Sequence, residues 1–179
     1  GIYLDILKDR LYTFSSQSRE RRAAQTVLYK ILNGLVRIIA PMLSFTAEEI
    51  FLMMPKDASL RDIKSVHLTD WPGVPDEWKS AEADEKLKLL LQMRPHVLKA
   101  LEDKRRAGEI GSSLEAKIIF ETQSERDLQY LTGISGLLPA VFIVSQVEVR
   151  QVQGVTAAMG EDFPQTGVLV HKADGEKCS

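Results

Sequence analysis

Sulfur and metal chemistry are nearly absent from this sequence. Its 179 residues hold one cysteine, Cys178, so no internal disulfide forms, and a reducing, cytoplasmic setting is expected. The three histidines, His67, His96 and His171, are widely separated, and none forms a helical pair with metal-ligand spacing. His96 reads as a partly solvated helix residue. No window approaches the roughly 20 continuous apolar residues of a membrane span, and no charged-then-apolar leader opens the chain. A membrane partner is therefore not expected. No phosphate-cradling glycine loop is present, because the Gly108-Glu-Ile-Gly111 stretch is short and follows a helix rather than opening one. There is no serine elbow, no repeat and no low-complexity tract. Carboxylate pairs such as Glu48-Glu49 suit a solvated helix face better than acid–base work. Nucleophile, base and metal do not converge, so no catalytic residue is assigned, and a freestanding enzyme is disfavoured. A net charge of −2 excludes a chromatin-type polycation, though not a basic patch.

What is present is apolar periodicity, with 44% hydrophobic residues. That suffices for one domain, or for a helical domain with a small appendix. Residues 2–14 have helical spacing. After Ser15–Gln17, Ser18 is placed to cap a second helix, which runs to Pro41. Leu28, Ile31, Leu35 and Ile38 are its expected core stripe, with Phe45, Ile50 and Phe51 behind them. Ser44 or Thr46 is expected to cap a third helix over about 47–54, Thr46 and Glu49 having capping-box spacing. Residues 55–80 read as a long ordered loop anchored by Trp71 and Trp78. A long helix over 81–107 follows, with Leu87, Leu90, Leu91, Val97, Leu98 and Leu101 inward. Pro95 kinks or divides it, and Gly108 and Gly111 end it.

The texture changes near residue 112. Residues 116–121 read as a strand, 125 to 133 or 138 as a helix, 140–152 as a strand broken near Ser145, and 168–171 as a short strand. The expected fold class is mainly α with a small α/β appendix: a helical bundle followed by a strand–helix–strand module.

The cations are concentrated at the amino end. Lys8, Asp9, Arg10 and Tyr12 are expected on one helical face, and Arg19, Arg21 and Arg22 follow after the polar break. Cations beside an exposable aromatic suit a surface that holds a phosphate backbone and stacks on a base. Lys8 and Arg10 could instead pair with Asp5 or Asp9, and Tyr12 could be a core-edge tyrosine. Arg19, Arg21 and Arg22 stand where the helix dipole disfavours positive charge, which calls for an RNA backbone or a network with Glu20. Lys104, Arg105 and Arg106 end the long helix, where cations are favoured in any case. A helical protein–protein interaction module, its arginine-rich face gripping an acidic partner, is the competing function.

The blocks YLDILKDRLY, RRAAQTVLYKIL, RIIAPMLSFTAEEIF, SVHLTDWP, GEIGSSLEAKI and GVLVHKADGEKC together resemble the C-terminal portion of bacterial isoleucyl-tRNA synthetases, members of class Ia. The APMLSFTAEEIF block also fits valyl and leucyl relatives; KDRLY, GSSLEAK and HKADGEKC carry the isoleucyl likeness. The resemblance implies a helical anticodon-binding bundle at 1–110 without its first helix, a small α/β module at 112–171, and the start of a zinc-binding tail at 172–179. The uncapped start at Gly1 and the isolated Cys178 are then expected of a piece of a longer protein. It implies tRNA contacts by Lys8, Arg10, Tyr12, Arg19, Arg21, Arg22, Arg105 and Arg106, with the anticodon stem–loop of tRNA(Ile) as partner. Cys178 would be a first zinc ligand; alone it makes no tetrahedral site, so no zinc is expected on this chain. The parent enzyme would join isoleucine to tRNA with ATP and magnesium. This chain lacks the HIGH and KMSKS type motifs and the editing domain, so it is expected to have no catalysis and no cofactor of its own. It is expected to be a cytoplasmic monomer with no obligate protein partner.

Overall fold

The computed structural model describes residues 2–175, which fold as helices with one mixed sheet. Packing divides them into two units: Leu7–Lys79, and the described parts of Gly1–Ile6 with Ser80–Ser179. The helix α1 (Ile2–Tyr12) runs through the boundary between them.

In the Leu7–Lys79 unit, α2 spans Arg19–Ile39. It begins where expected: Ser18 is extended (φ −65°, ψ 141°), and its hydroxyl accepts the Arg21 N–H at 3.1 Å. That satisfies one of the four donors a helix start leaves open. The next helix, α3 (Ser44–Met53), starts earlier than the sequence suggests. Neither Ser44 nor Thr46 caps it; Leu43 precedes it, and the Ser44 hydroxyl donates to the Ala40 carbonyl at 3.1 Å. The backbone N–H groups of Met42 and Leu43 both return to the Ile39 carbonyl, at 2.9 and 2.8 Å. The chain thus passes from α2 into α3 through a tight turn that leaves no extended cap residue.

The core here is Val36, Ala40, Ala47, Phe51, Met54, Leu60 and Val66. The loop after α3 is tied to it by Glu48, whose carboxylate accepts from the Val66 N–H at 2.8 Å and the Ser65 hydroxyl at 3.0 Å. Lys56 donates to the Ile63 carbonyl and lies 4.5 Å from the Phe51 ring centre, a cation–π distance. Two expectations fail. Trp71 and Trp78 do not anchor the loop: they are 69% and 53% exposed, because 3₁₀ turns at Val66–Leu68 and Asp76–Trp78 and the Glu48 bonds hold it instead. The expected stripe of α2 is also on the wrong side. Ile31, Leu35, Ile38 and Phe45 are exposed, whereas Val36 and Ala40 are buried. At about 100° per residue, Ile31, Leu35 and Ile38 lie on roughly the opposite side of α2 from Val36; Phe45 belongs to α3. The apolar positions of α2 form one broad arc, and the fold buries its edge at Val36 and the neighbouring Asn33 rather than its centre.

The other unit is built on α4 (Ala81–Arg106), β1 (Ala116–Thr122), α5 (Glu125–Gly133), α6 (Leu138–Phe142), β2 (Gln146–Gln151), β3 (Ala158–Met159) and β4 (Phe163–Lys172). Despite Pro95, α4 is one helix. It buries Met93, Val97 and Leu101, while Leu87, Leu91 and Leu98, expected inward, are exposed. Its end is a Schellman motif: Gly108 has φ +72°, its N–H bonds to the Arg105 carbonyl, and the Glu109 N–H bonds to that of Lys104.

The strand order is β2-β1-β4-β3, with β1 and β2 parallel and the other pairs antiparallel. Ala116, Ile118 and Phe120 of β1 line up with Val168 and Val170 of β4 and join Met93, Val97, Leu131, Leu138 and Phe142 in one core. The opposite face carries Lys117, which bridges Glu148 and Asp174 at 3.2 Å each, and the Glu148–Arg150 pair. The mainly α class with a small α/β appendix is thus as expected. Within it, residues 140–142 are helix rather than strand, because Pro139 opens a short helix, α6, that ends at Ile143. The last strand is longer than 168–171, running from Phe163 to Lys172.

Candidate nucleic-acid interface

On α1, Lys8 and Tyr12 are one turn apart and share a side, whereas Arg10 falls about 200° from Lys8. Lys8 is exposed and takes part in an interaction of its own. Arg10 is half-buried, and its guanidinium makes no ion pair among the described residues. Tyr12 ends the helix with 81% of its surface in solvent. It is not a core-edge tyrosine.

The break after Tyr12 is held by local bonds. The Thr13 hydroxyl donates to the Asp9 carbonyl at 2.7 Å, and the Thr13 and Phe14 N–H groups reach the same oxygen. Arg21 completes it: one terminal guanidinium nitrogen donates to the Phe14 carbonyl at 2.8 Å, and its Nε is buried without a partner. Arg21 is therefore a strap between the break and α2. Arg19 and Arg22 differ. Both are exposed, they lie one turn apart on the same side of α2, and neither pairs with Glu20 or another carboxylate among the described residues. Two unpaired guanidinium groups stand at a helix start, where the dipole is unfavourable to them, so an external anion is the natural complement.

In the sheet-bearing unit, Arg105 and Arg106 end α4 and share one carboxylate: their Nε atoms lie 3.3 and 3.4 Å from Glu102. Lys104 pairs with Glu109 at 2.7 Å. Dipole and carboxylate together account for these cations without RNA. Arg105 and Glu102 also border a cavity of about 220 Å³, which sequence reasoning missed. Arg94 and Ser113 complete its polar rim, and Leu98, Leu101, Ile110, Phe142 and Ile143 form its walls. Ile143 adopts φ 56°, ψ 54°, a left-handed conformation rare for a β-branched residue. No sequence signal announces a cavity drawn from such distant segments. A shallower groove of about 420 Å³ lies where α4 meets Arg126 and Tyr130. The Tyr130 hydroxyl donates to the Lys86 carbonyl at 2.5 Å, and burial pushes its pKa up to about 12.

No group of three or more His, Cys, Asp or Glu residues able to hold a metal occurs among the described residues. Cys178 lies outside them. No helix among them is long and apolar enough to cross a membrane.

A capped helical bundle with unpaired arginines and an exposed tyrosine is what a nucleic-acid-binding helical module presents. Residues 1–120 match the family described as the anticodon-binding domain of tRNA ligase, and the chain belongs to that family. It is similar to the isoleucine–tRNA ligase of Natranaerobius thermophilus, 43% identical over 183 residues, covering 98% of this chain and 19% of that protein. The isoleucine–tRNA ligases of Syntrophotalea carbinolica and a Thermoanaerobacter species are 43% and 45% identical over 99% of the chain. The chain thus spans about a fifth of the length of the curated relatives it matches.

Proposed function

We propose that this chain is the part of an isoleucine–tRNA ligase that binds the anticodon stem–loop of tRNA(Ile). The observation that carries the reading is the pair of exposed, carboxylate-free guanidinium groups of Arg19 and Arg22, in a chain of the anticodon-binding family. In this reading Lys8, Arg10, Arg19 and Arg22 neutralise phosphates, Tyr12 stacks on an unpaired base, and Arg21 sets the angle of the break that presents them. Arg105 and Arg106 are secondary contacts. The functional division falls near residue 110, with an RNA-binding part at 1–110, the α/β module at 112–171 and a tail from 172.

The longer protein would attach isoleucine to tRNA in the cytoplasm, as a monomer, using ATP and magnesium. Cys178 would supply one thiolate to zinc in its tail. The exposed side of α2, through Ile31, Leu35 and Ile38, would be covered by a helix of that longer chain. Fluorescence anisotropy with a labelled anticodon stem–loop tests the reading. Binding that weakens with salt, and weakens further in Arg19→Ala and Arg22→Ala, supports it; binding indifferent to both changes refutes it.

A further inference from the structure

We infer that the cavity bordered by α4, the turn at Ser113–Glu115 and α6 seats one unpaired RNA base, with Glu102 reading the amino group on its edge. The inference rests on the RNA-binding function proposed above.

The cavity's size sets the class of ligand. Its volume is about 220 Å³, below the roughly 300–1,000 Å³ of sites that enclose a drug-sized ligand. One flat ring system fits; a whole nucleotide cofactor does not. Its surface sets the chemistry. The walls are the side chains of Leu101, Ile110 and Phe142, all buried, with Leu98 and Ile143 nearer the mouth. A splayed base has two apolar faces and one polar edge, and the walls complement the faces.

The rim complements the edge. Glu102 is the only carboxylate among the lining residues, and an ionised carboxylate accepts hydrogen bonds but donates none. It therefore favours a base with an amino group, as glutamate does with the cytosine N4 amino group. Uracil has no amino group to offer. Arg105 and Arg106 approach Glu102 through Nε, at 3.3 and 3.4 Å. Their outer nitrogens make no other bond among the described residues. With side-chain exposures of 61% and 75%, they are free to hold the phosphates flanking an inserted base. Ile143, on the cavity border, is left-handed (φ 56°) because it is the C-cap of α6, and that fixed helix end holds its side chain at the mouth.

The test uses the 179-residue chain and labelled oligoribonucleotides of five cytidines or five uridines, read by fluorescence anisotropy. The cytidine probe should bind about 10-fold more tightly, within the range expected for one good edge contact. Glu102→Met should bring the ratio close to one. Freeing Arg105 and Arg106 raises affinity for both probes alike, so the ratio reports the edge contact and not the charge. Leu98→Trp, at an exposed helix position, should fill the cavity and weaken cytidine binding while the circular dichroism melt is retained. Equal affinity for the two probes, or a ratio untouched by Glu102→Met, overturns the base seat. If binding then still falls in Arg22→Ala, the RNA-binding reading stands without it. If neither probe nor an anticodon stem–loop binds, both are overturned.

Discussion

Arg21 and Arg22 are neighbours of identical chemistry for which the structure predicts opposite phenotypes. Arg21 donates to the Phe14 carbonyl at 2.8 Å; Arg22 has no protein partner for its guanidinium among the described residues. Arg21→Ala removes a charge-assisted bond to a solvent-accessible carbonyl, and such bonds contribute about 0.5–1.5 kcal/mol net. Losing the buried, unpartnered Nε offsets part of that. The expected cost is about 1 kcal/mol, or roughly 2–4 °C in melting temperature for a chain of this size. Arg22→Ala removes nothing the fold uses and should leave the melt within about 0.5 kcal/mol. On RNA the order inverts. Each phosphate contact contributes roughly 0.7–0.9 to the slope of log affinity against log salt. Losing the Arg22 contact should therefore flatten that slope by about one unit. Between 50 and 200 mM salt the variant should then lose about threefold less affinity than the parent chain. Thermal melts and anisotropy titrations at four salt concentrations read both quantities. Equal melting losses in the two variants, or an unchanged slope in Arg22→Ala, would refute the division into strap and contact.

Three further outcomes follow from the fold. Gly167→Ala places a Cβ 2.4 Å from the Ala157 carbonyl oxygen, so the loop packed on β4 must shift, at a cost of about 1–3 kcal/mol in chemical denaturation. Arg150 and Lys117 hold the Glu148 carboxyl down to about 2. A depressed carboxylate contributes stability that is present above its unfolded pKa near 4.5 and is lost as pH falls toward about 2, so Glu148→Gln should lower stability at pH 7, flatten the acid limb of the stability profile and match the parent chain near pH 2. Tyr12→Ala should weaken single-stranded RNA binding by about 1–3 kcal/mol with no change in melt, because the ring is already in solvent; a lowered melt with intact binding would make it a folding residue.

Local signals in the sequence were reliable where one residue decides the structure. Ser18 starts α2 because its hydroxyl reaches the Arg21 N–H, and Gly108 ends α4 because only the left-handed conformation closes that cap. Strand β1 was legible from the run Ile118, Ile119 and Phe120. What failed depended on partners. The α2 periodicity gives one broad apolar arc, and spacing alone could not say that the fold would bury its edge at Val36 and leave Ile31, Leu35 and Ile38 outside. Trp71 and Trp78 looked costly to expose, yet hydrogen bonds from Glu48 hold their loop. Val141 and Phe142 favour a strand by type, but Pro139 at a helix start outweighs that preference. Of the candidate site, the cations were visible at once. That Arg21 is spent on Phe14, while the Arg19 and Arg22 guanidinium groups have no carboxylate partner among the described residues, emerges only from the fold.

The central claim is that the unpaired arginines of α2 exist to meet RNA. Its most direct test is the affinity of this chain for the tRNA(Ile) anticodon stem–loop against an acceptor-stem hairpin of equal length, each titrated from 50 to 400 mM salt. Preferential binding of the anticodon hairpin is expected, with a salt slope that drops by about one for Arg19→Ala, one for Arg22→Ala and two for the pair. Equal affinity for the two hairpins, with slopes unmoved by either substitution, would contradict the account.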